Sequence, residues 1–314
     1  MHLGGPDVSV LIAAYRAEGT LPRAVRSTLN STGLRVEVIV VDDASPDRTF
    51  AVAEGLATDP RVRVARLDRN GGPSAARNRA LDLARGTWVA VLDADDEMEP
   101  DRLARMVARA RGADVVMGNL MQVDGQGRAF GPFLPPADLT AVLTAERFIA
   151  GNMRSAGGRG LGYLKPLIRR DFLIRHGIAY DPTLRNGEDY HLILSCLLAG
   201  AVCRVDPAPG YLYTRAAGSI SHRIALDHLA ALIAAEDRLL PRLRDEPRLA
   251  AMVRARRQGL ARMLTTETVL RAVKAGDVAR ALAALTARPA ATAMILRQGV
   301  EGMRRRLDRI PRRP

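Results

Sequence analysis

Four short runs of apolar, often β-branched residues alternate with three helical patterns in the first third of the chain. The predicted strands are Val8–Ala14, Val36–Val41, Val62–Leu67 and Trp88–Leu92. The predicted helices, with apolar residues at three- and four-residue spacing, are Leu21–Ser31, Asp47–Ala57 and Ser74–Arg85. Strands that alternate with helices in this way form parallel pairs joined by right-handed crossovers. The sequence therefore predicts an α/β fold with a mainly parallel sheet flanked by helices.

Chain length and a change of pattern suggest two regions. The 314 residues, 47% of them apolar, are enough for one large domain or two modest ones. From Ala225 onward the pattern is almost purely helical. We therefore predict an α/β domain over residues 1–225, with halves 1–118 and 119–225, and a C-terminal helical region over residues 226–314.

The basic charge of the chain is concentrated at its C-terminal end. The net charge is +13, and residues 226–314 hold 19 Arg and Lys against 9 Asp and Glu, a net +10. The segment Met294–Arg313 interleaves apolar residues with arginines and predicts a basic amphipathic helix, which anionic lipid would attract. The alternatives are a helix that packs on the catalytic domain or a disordered end. Nucleic acid is not an expected partner, because the basic residues lack interleaved aromatics and no binding motif is present.

Cysteine usage and hydropathy favour a cytoplasmic protein. Cys196 and Cys203 lie seven residues apart, match no metal or redox spacing, and are predicted to be small core residues. No apolar run approaches the ~20 residues of a membrane span, and the N-terminal residues lack the pattern of a signal peptide. The expected location is the cytoplasm, with peripheral contact at the inner face of the plasma membrane through the basic segment.

Polar clusters follow each of the four predicted strands. They are Ala14–Glu18, Asp42–Ser45, Asn70–Asn78 and Asp93–Glu97. Ligands of parallel sheets bind outside the carboxyl ends of the strands. The sequence therefore predicts a binding site at this edge.

The last of these clusters places four carboxylates within five positions. At neutral pH they would repel one another unless solvent, Arg or Lys, or a divalent metal lay among them. If the strand continued through Asp93-Ala-Asp95, both carboxylates would lie on one side of the pleat and could share Mg²⁺ or Mn²⁺. Capping of the helix near Pro100 would account for only one acidic residue, such as Glu97 or Glu99.

Seven motifs in order resemble those of family 2 glycosyltransferases, the inverting enzymes of the GT-A fold. They are VSVLIAAYRAEGTL, VEVIVVDDASPD, NGGPSAARN, LDADD, KPLIRRDFL, GIAYDPTLRNGEDYHL and YLYTRAAGSISH. The set spans about residues 7–225 and is most similar to exopolysaccharide glycosyltransferases of the succinoglycan type. The resemblance implies a GT-A fold, a nucleotide-binding half over 1–118 and an acceptor half over 119–225. It also implies a UDP-sugar donor, Mg²⁺ or Mn²⁺, and a carbohydrate acceptor, typically lipid-linked.

The resemblance implies nucleobase contacts from the loops after the first two strands. The matching residues are Ala13, Tyr15, Glu18 and Asp43. A carboxylate at Asp43 can accept a hydrogen bond from the N3–H group of uracil. The alternative for Asp43 is a turn or helix cap with Ser45.

Phosphate and metal contacts follow from the next two motifs. By resemblance Arg77 lies over the nucleotide, where its guanidinium suits a phosphate or a carboxylate; the alternative is a surface helix residue. Asp95 is the expected metal ligand, with Asp93 as a second ligand, and Asp93 or Asp96 as a contact to ribose or metal-bound water. The metal would neutralise the charge of the departing diphosphate.

The acidic pair Glu188-Asp189 opens a strongly apolar predicted helix that runs to Ala199. By resemblance Asp189 is the general base and Glu188 orients it or grips the acceptor. The alternative is that both residues only cap the helix. A helix N-terminus lowers a carboxyl pKa and weakens a base, so we expect burial to oppose that effect.

Two residues near the end of the resemblance complete the candidate site. Arg215 follows a predicted strand, Gly210–Thr214, and is expected to contact the diphosphate. His222 is a candidate metal ligand, as in some GT-A enzymes; the alternative is a surface or hydrogen-bonded histidine.

Two other functions remain open from the sequence. A nucleotidyltransferase shares the architecture and an acidic metal site, but a Gly-rich loop with Arg and Lys is expected after its first strand, and AAYRAEGTL lacks it. A decayed transferase could bind nucleotide sugar as a non-catalytic protein of polysaccharide assembly. The intact Asp43, Asp95 and Glu188-Asp189 favour the enzyme.

Overall fold

The computed structural model describes residues 5–153, 160–215 and 225–287. The described residues divide into two compact units, 5–215 and 225–287. The subdivision of the first unit into two halves stays a prediction.

The first unit contains one mixed sheet that is mainly parallel. Its strands are β1 Val8–Ala14, β2 Val36–Asp42, β3 Val62–Arg66, β4 Trp88–Val91, β5 Glu97–Met98, β6 Val115–Val123, β7 Ala129–Pro132, β8 Lys165–Arg169 and β9 Cys203–Thr214. Their order is β3-β2-β1-β4-β8-β6-β9-β5, and β7 pairs with β6. Neighbours among β3, β2, β1 and β4 are parallel, as are β6 and β9, whereas β8 runs antiparallel between β4 and β6. This arrangement confirms the predicted α/β class.

Seven α-helices accompany the sheet within the described part of the first unit. They are α1 Leu21–Leu29, α2 Thr49–Leu56, α3 Pro73–Leu83, α4 Arg102–Arg109, α5 Ala145–Gly151, α6 Arg170–His176 and α7 Glu188–Leu198. Every residue of β2 and β4 is buried, which explains why those strands read as nearly continuous apolar runs. The four strands and three helices predicted for the first third of the chain are confirmed to within two residues at each end.

The sequence prediction failed at two strands that contain proline. The glycines and prolines of residues 124–136 favour a loop, but this interval contains β7. Strand β9 begins at Cys203 and not at Gly210, because a register shift against β6 accommodates Pro207 and Pro209 within the strand. Proline is tolerated in sheets at such irregularities and at edges, so both strands lacked an ordinary sequence signal.

The two cysteines are buried and free, as predicted. Burial raises the pKa of the Cys196 and Cys203 thiols to about 12. The thiols therefore stay protonated at neutral pH and behave as small core side chains.

The second unit is helical, as expected. It consists of α8 Leu226–Leu239, α9 Pro247–Lys274 and α10 Val278–Ala287, with a short 3₁₀ turn at Leu240–Leu243. Glu236 of α8 is fully buried and forms an ion pair with Arg256 of α9. Among the described helices none is both long and apolar enough to cross a membrane. The predicted break near Pro289 and the basic segment 294–313 lie outside the described residues.

A buried polar group fastens β1, β2 and the turn before β4 to one another. Glu37 is 2% exposed and accepts hydrogen bonds from Ser9 Oγ at 2.6 Å and from the backbone N of Arg85 at 2.8 Å. The Arg85 guanidinium also contacts Glu37, at 2.9 Å. Burial alone would raise the pKa of Glu37, but the bonds from Ser9 and Arg85 outweigh it and hold the pKa below its usual value.

Replacement of Glu37 by Ala should destabilise the first unit by about 2–4 kcal/mol, because the Ser9 hydroxyl and the Arg85 N–H lose their buried acceptor. Since the pKa of Glu37 is lowered in the folded state, the difference from wild type should shrink as the pH falls below about 4. Urea unfolding at pH 7 and pH 3 measures both effects. The exposed Glu54→Ala is the matched control and should stay within about 0.5 kcal/mol of wild type; equal losses in the two variants would contradict this account.

Candidate active site

The loops after β1 and β2 are bonded to each other at the carboxyl edge of the sheet. Asp43 N donates to Ala14 O at 2.8 Å, and Arg16 N donates to Ser45 Oγ at 3.1 Å. Arg16 and Ala44 both adopt the left-handed region, with φ of 52° and 53°. This conformation is unfavourable for residues with a Cβ atom, so the bonded loops hold a strained backbone at the edge where the sequence predicted a ligand site.

Asp43 organises the turn that leads into α3. Its buried carboxylate accepts hydrogen bonds from Gly71 N at 2.7 Å, Gly72 N at 2.9 Å and Asn70 Nδ2 at 2.9 Å. The cap with Ser45 that was the alternative for Asp43 belongs to Asp42, which accepts from Ser45 N at 3.2 Å. Gly72 has φ of 83°, a conformation that suits glycine.

The other residues expected at the nucleobase lie in the loop after β1. Ala13 is half-buried and Tyr15 is 44% exposed. Glu18 is exposed, and its Oε2 accepts a hydrogen bond at 2.8 Å from the backbone N of Arg48, at the start of α2. In this structure Glu18 therefore supports the neighbouring helix.

The acidic cluster forms a turn and not the end of a strand. β4 stops at Val91, and Asp96 N donates to Asp93 O at 3.1 Å. The expectation that Asp93 and Asp95 lie on one side of a pleat is therefore wrong. Asp95 is exposed, whereas Asp96 is 1% exposed. The carboxylates of Asp95 and Asp96 therefore lie in different surroundings, one exposed and the other buried.

Asp93 faces two cations of the protein. Its Oδ1 lies 2.6 Å from Arg77 Nη2, and its Oδ2 lies 2.7 Å from Lys165 Nζ. Burial would raise the pKa of Asp93, but Lys165 and Arg77 lower it well below the usual range. Part of the charge of the acidic cluster is therefore neutralised within the chain, without a metal.

Two residues of β9 hold Asp96 through hydrogen bonds. Its Oδ2 accepts a hydrogen bond from the Tyr211 hydroxyl at 2.8 Å, and its Oδ1 accepts one from Thr214 N at 2.7 Å. Burial, with the nearby charges of Asp93 and Asp95, raises the pKa of Asp96 to about 8. A carboxyl group in this position anchors the turn, and it does not face outward to a ribose or to metal-bound water as expected.

Asp95 is the residue of the turn that suits a metal ion. The described residues contain no cluster of three or more His, Cys, Asp or Glu side chains that could hold a metal, and His222 lies outside those residues. The exposed carboxylate of Asp95 therefore fits a cation that takes one protein ligand here. Mg²⁺ commonly binds in this way, through one or two carboxylates, with substrate phosphates and water as its other ligands.

Arg77 lies at the centre of the acidic residues. It is 4% exposed, and its Nη1 contacts Glu188 Oε1 at 2.6 Å and Asp189 Oδ1 at 3.4 Å. The alternative of a surface helix residue is wrong. Among the described residues Arg77 Nε has no hydrogen-bond partner, so the contacts of this guanidinium with carboxylates are all made through Nη1 and Nη2.

The acidic pair begins α7, as predicted, behind a left-handed Gly187 with φ of 74°. The Glu188 and Asp189 side chains are each 12% exposed. Burial raises the pKa of Glu188, although Arg77 acts to lower it. At Glu188 burial thus outweighs the factors that favour the charged form, as we expected for the pair.

The segment before the acidic pair is fastened to α3 and its leading turn. Ser74 Oγ donates to Leu184 O at 2.6 Å, and Asn78 exchanges two hydrogen bonds with the backbone of Tyr180, at 2.8 and 2.9 Å. Arg185 Nη1 donates to Asn70 Oδ1 at 2.9 Å. These bonds position the start of α7 opposite Arg77.

Lys165 is a member of the site that the sequence analysis did not identify. It begins β8, is 7% exposed, and its Nζ lies 2.7 Å from Asp93 Oδ2 and 3.3 Å from Asp189 Oδ2. Two signals were available: Lys165 opens the motif KPLIRRDFL, to which no site role was assigned, and the chain has only two lysines, Lys165 and Lys274, among its 47 basic residues.

Tyr211 is a second member that the sequence analysis missed. Besides donating to Asp96, its hydroxyl accepts a hydrogen bond from Asp93 N at 3.0 Å. The Arg102 guanidinium and the Lys165 ammonium lie 5.4 and 5.6 Å from its ring centroid. Arg102 is fully buried, and burial lowers its pKa to about 10. Tyr211 thus contacts both the acidic turn and two buried cations, Arg102 and Lys165.

Arg215 ends the described part of this region. It is exposed, its backbone N donates to Val123 O at 2.8 Å, and its guanidinium lies 5.9 Å from the ring centroid of Phe130. It follows Thr214, whose N binds Asp96. The predicted contact of Arg215 with a diphosphate stays a prediction.

Replacement of Tyr211 by Phe should lower the free energy of unfolding by about 1–2 kcal/mol, because Asp96 loses a donor and Asp93 N loses an acceptor while the ring packing is kept. Thermal or urea unfolding measures the loss. Tyr15→Phe, at an exposed ring, is the control and should be neutral within about 0.5 kcal/mol. A neutral result for Tyr211→Phe would show that the hydroxyl does not hold the turn.

Comparisons with known proteins agree on one family. Residues 9–161 match the family model described as glycosyl transferase family 2. The succinoglycan biosynthesis protein ExoO of Rhizobium meliloti (strain 1021) is 44% identical over 241 residues, which cover 76% of this chain and 69% of ExoO. The succinoglycan biosynthesis protein ExoU of the same organism is 36% identical over 220 residues, covering 68% of this chain and 64% of ExoU, just under two thirds of that protein.

Solved structures of TarS from S. aureus share the fold. TarS 1–349 in complex with UDP-GlcNAc superposes with a TM-score of 0.62 at 20% identity, covering 88% of this chain and 89% of that chain. TarS 1–349 in complex with UDP gives 0.59 at 24% identity, covering 74% and 65%. At this level of identity the likeness concerns the fold alone.

Proposed function

The chain belongs to glycosyl transferase family 2, and from that premise we propose that it is a metal-dependent inverting glycosyltransferase. It moves a sugar from a UDP-sugar to a carbohydrate acceptor, in exopolysaccharide or cell-surface glycan biosynthesis. The observation that carries the proposal is the cluster in which Arg77 joins Asp93 to Glu188 and Asp189. This cluster brings a donor-side acidic turn next to a carboxylate that can accept a proton.

The relatives support the finer parts of the proposal. ExoO and ExoU are succinoglycan biosynthesis proteins, which supports an exopolysaccharide product. TarS has been solved with UDP and with UDP-GlcNAc, which supports a UDP-sugar donor. Asp43, Tyr15 and the strained loops after β1 and β2 would receive the nucleobase.

The donor's diphosphate would lie beside the acidic turn. Asp95 would hold a Mg²⁺ or Mn²⁺ ion, which when bound neutralises charge on the departing diphosphate. Asp96 and Tyr211 hold the turn in place beneath it. Arg215, at the end of β9, is the proposed cation for the far side of the diphosphate.

Asp189 is the proposed general base. The acceptor hydroxyl gives its proton to Asp189 while its oxygen forms a bond to the anomeric carbon, and the bond from that carbon to the diphosphate oxygen breaks. Attack opposite the leaving group inverts the anomeric centre, and UDP departs with the electron pair. Arg77 and Lys165 lie 3.4 and 3.3 Å from the Asp189 oxygens. Glu188, ion-paired to Arg77, orients the base or contacts the acceptor.

The acceptor is proposed to be a lipid-linked oligosaccharide at the inner face of the plasma membrane. The support is the basic sequence of residues 226–314, with a net charge of +10, and its amphipathic segment Met294–Arg313. Basic residues near an anionic leaflet contribute roughly 1 kcal/mol each to binding. The protein would then act as a peripheral enzyme that meets its acceptor at the membrane surface.

The two rival functions lack comparable support. A nucleotidyltransferase is not favoured because the loop after β1, AAYRAEGTL, has no Gly-rich phosphate-binding pattern. A non-catalytic sugar-nucleotide binder would have no use for the buried pair Glu188 and Asp189 opposite Arg77. Turnover measurements separate the three functions.

Asp189→Asn should lower the rate of UDP release from a UDP-sugar by about 10²-fold or more, because the variant cannot accept the acceptor proton. UDP release in the presence of acceptor is measured for both proteins with Mn²⁺ and after chelation. Wild type should lose activity on chelation and regain it with Mn²⁺. Asp171→Asn, at an exposed carboxylate of α6, is the control and should keep the wild-type rate. Release that ignores both the metal and the mutation would exclude the proposed mechanism, and pyrophosphate release from a nucleoside triphosphate would favour the nucleotidyltransferase.

Truncation after residue 287 should weaken binding to vesicles that contain anionic phospholipid, since it removes the amphipathic segment and its arginines. Co-sedimentation with anionic and with neutral vesicles measures the effect. The full chain should bind anionic vesicles, and raised salt should release it. Equal binding by the full and truncated chains would contradict membrane contact through this segment, whereas the soluble-acceptor activity of both should be the same.

A further inference from the structure

We propose that Lys165 is a positioning residue for the reaction: its ammonium group holds the Asp189 carboxylate in place and ties it to Asp93 of the acidic turn. The inference rests on the proposed function, in which Asp189 is the base. Among the described residues, Lys165 contacts Asp189 of the acidic pair, yet the resemblance assigns it no role although it opens the motif KPLIRRDFL.

Four charged groups form a closed ring in which each carboxylate contacts both cations, one through each of its oxygens. Arg77 lies 2.6 Å from Asp93 Oδ1 and 3.4 Å from Asp189 Oδ1. Lys165 Nζ lies 2.7 Å from Asp93 Oδ2 and 3.3 Å from Asp189 Oδ2. Asp189 is thus held at both oxygens from two sides. Without Lys165, one oxygen would lose its partner and the carboxylate could rotate about its last side-chain torsion.

Arg77 cannot replace Lys165 in this task. Its shortest contacts, both at 2.6 Å, go to Asp93 and Glu188, so Asp189 receives only its longest one. The ring and Glu188 together carry two positive and three negative charges. Removal of Lys165 would leave three carboxylates around one guanidinium, and Asp189, with the weakest remaining contact, would lose the most.

Lys165 is itself held rigidly, as a positioning residue must be. It begins β8, the strand inserted between β4 and β6. Its backbone O accepts a hydrogen bond from Arg102 Nη2 at 3.1 Å, and its ammonium lies 5.6 Å from the centroid of the Tyr211 ring. An ammonium group has three N–H donors. Two of them point to Asp93 and Asp189, and the Tyr211 ring adds a cation–π contact. The side chain is 7% exposed, which leaves it little room to swing towards solvent.

Sheet topology explains why one lysine can connect these parts. Asp93 follows the carboxyl end of β4, and β8 runs antiparallel to β4, so the first residue of β8 lies beside that end. Asp189 lies in the first turn of α7. Lys165 therefore joins the acidic turn to the start of α7 from within the sheet, and a change at Asp93 would reach Asp189 through the shared cation.

The test compares Lys165→Met with Lys165→Arg, and uses Lys274→Met, the exposed second lysine, as the matched control. Transfer kinetics should show kcat of Lys165→Met at least ~10-fold lower, from a misplaced base, with the KM for the donor changed less than about 3-fold. Lys165→Arg should recover part of the loss because it keeps the charge. Lys274→Met should match wild type.

The split between kcat and KM, with rescue by Lys165→Arg, separates positioning from loss of packing. Asp189 contacts both Arg77 and Lys165, so a substitution that keeps the charge at residue 165 should keep the second contact. A wild-type kcat in Lys165→Met, or a raised donor KM with kcat preserved, would overturn the proposal; the second result would make Lys165 a diphosphate ligand.

Thermal unfolding of the ligand-free protein tests the contact independently of any turnover. Lys165→Met should lower Tm, because Asp93 and Asp189 each lose a buried cationic partner. Adding Asp189→Asn to Lys165→Met should restore part of the lost Tm, because it removes one of the carboxylates left without that partner. If wild type transfers no sugar, the proposed function fails while these Tm shifts still report on the contact. An unchanged Tm in Lys165→Met, or no recovery in the double variant, would overturn the proposal.

Discussion

The first unit depends on the neutralisation of one buried guanidinium. Arg77 is carried by α3 into the interior, and a buried charge is tolerated only when it is paired and hydrogen-bonded. Its partners come from two distant places, the turn after β4 and the start of α7. Closure of these segments around α3 therefore neutralises the Arg77 guanidinium, and it also assembles the acidic groups that the proposed chemistry uses. The contacts that neutralise Arg77 are therefore also the contacts that form the candidate site.

The strands that are buried on both faces could be predicted from the sequence alone. β1, β2 and β4 are covered on both faces, so nearly every residue of each is apolar and the strands stand out in the sequence. β7 and the first half of β9 were not predictable, because proline and glycine there signal loops and the strands exist only through their pairing with β6. The acidic turn was misplaced for a related reason. Whether a strand continues through Asp93 depends on Tyr211 and Thr214, more than a hundred residues later.

Only those site residues to which the resemblance assigns a role could be predicted from the sequence. Arg77, Asp93 and the pair at 188–189 were named through resemblance, and the structure brings them together. Their partners Lys165 and Tyr211 each open a motif of the resemblance, KPLIRRDFL and YLYTRAAGSISH. Their contacts could not be inferred, because sheet order decides which distant side chains a strand residue meets. Asp43 has a structural role that the sequence did not show: its carboxylate accepts three hydrogen bonds that shape the turn before α3. Its contact with a nucleobase stays a prediction.

The uneven placement of the two lysines has a practical consequence. Lys274 is exposed at the end of α9, whereas Lys165 is buried. Burial would lower the pKa of Lys165, but Asp93 and Asp189 outweigh it and raise the pKa, so its amine stays protonated and is no nucleophile. Amine-directed reagents should then modify Lys274 and the chain's α-amino group. The protein can accordingly be immobilised or labelled through its helical unit while the catalytic cleft is left chemically untouched.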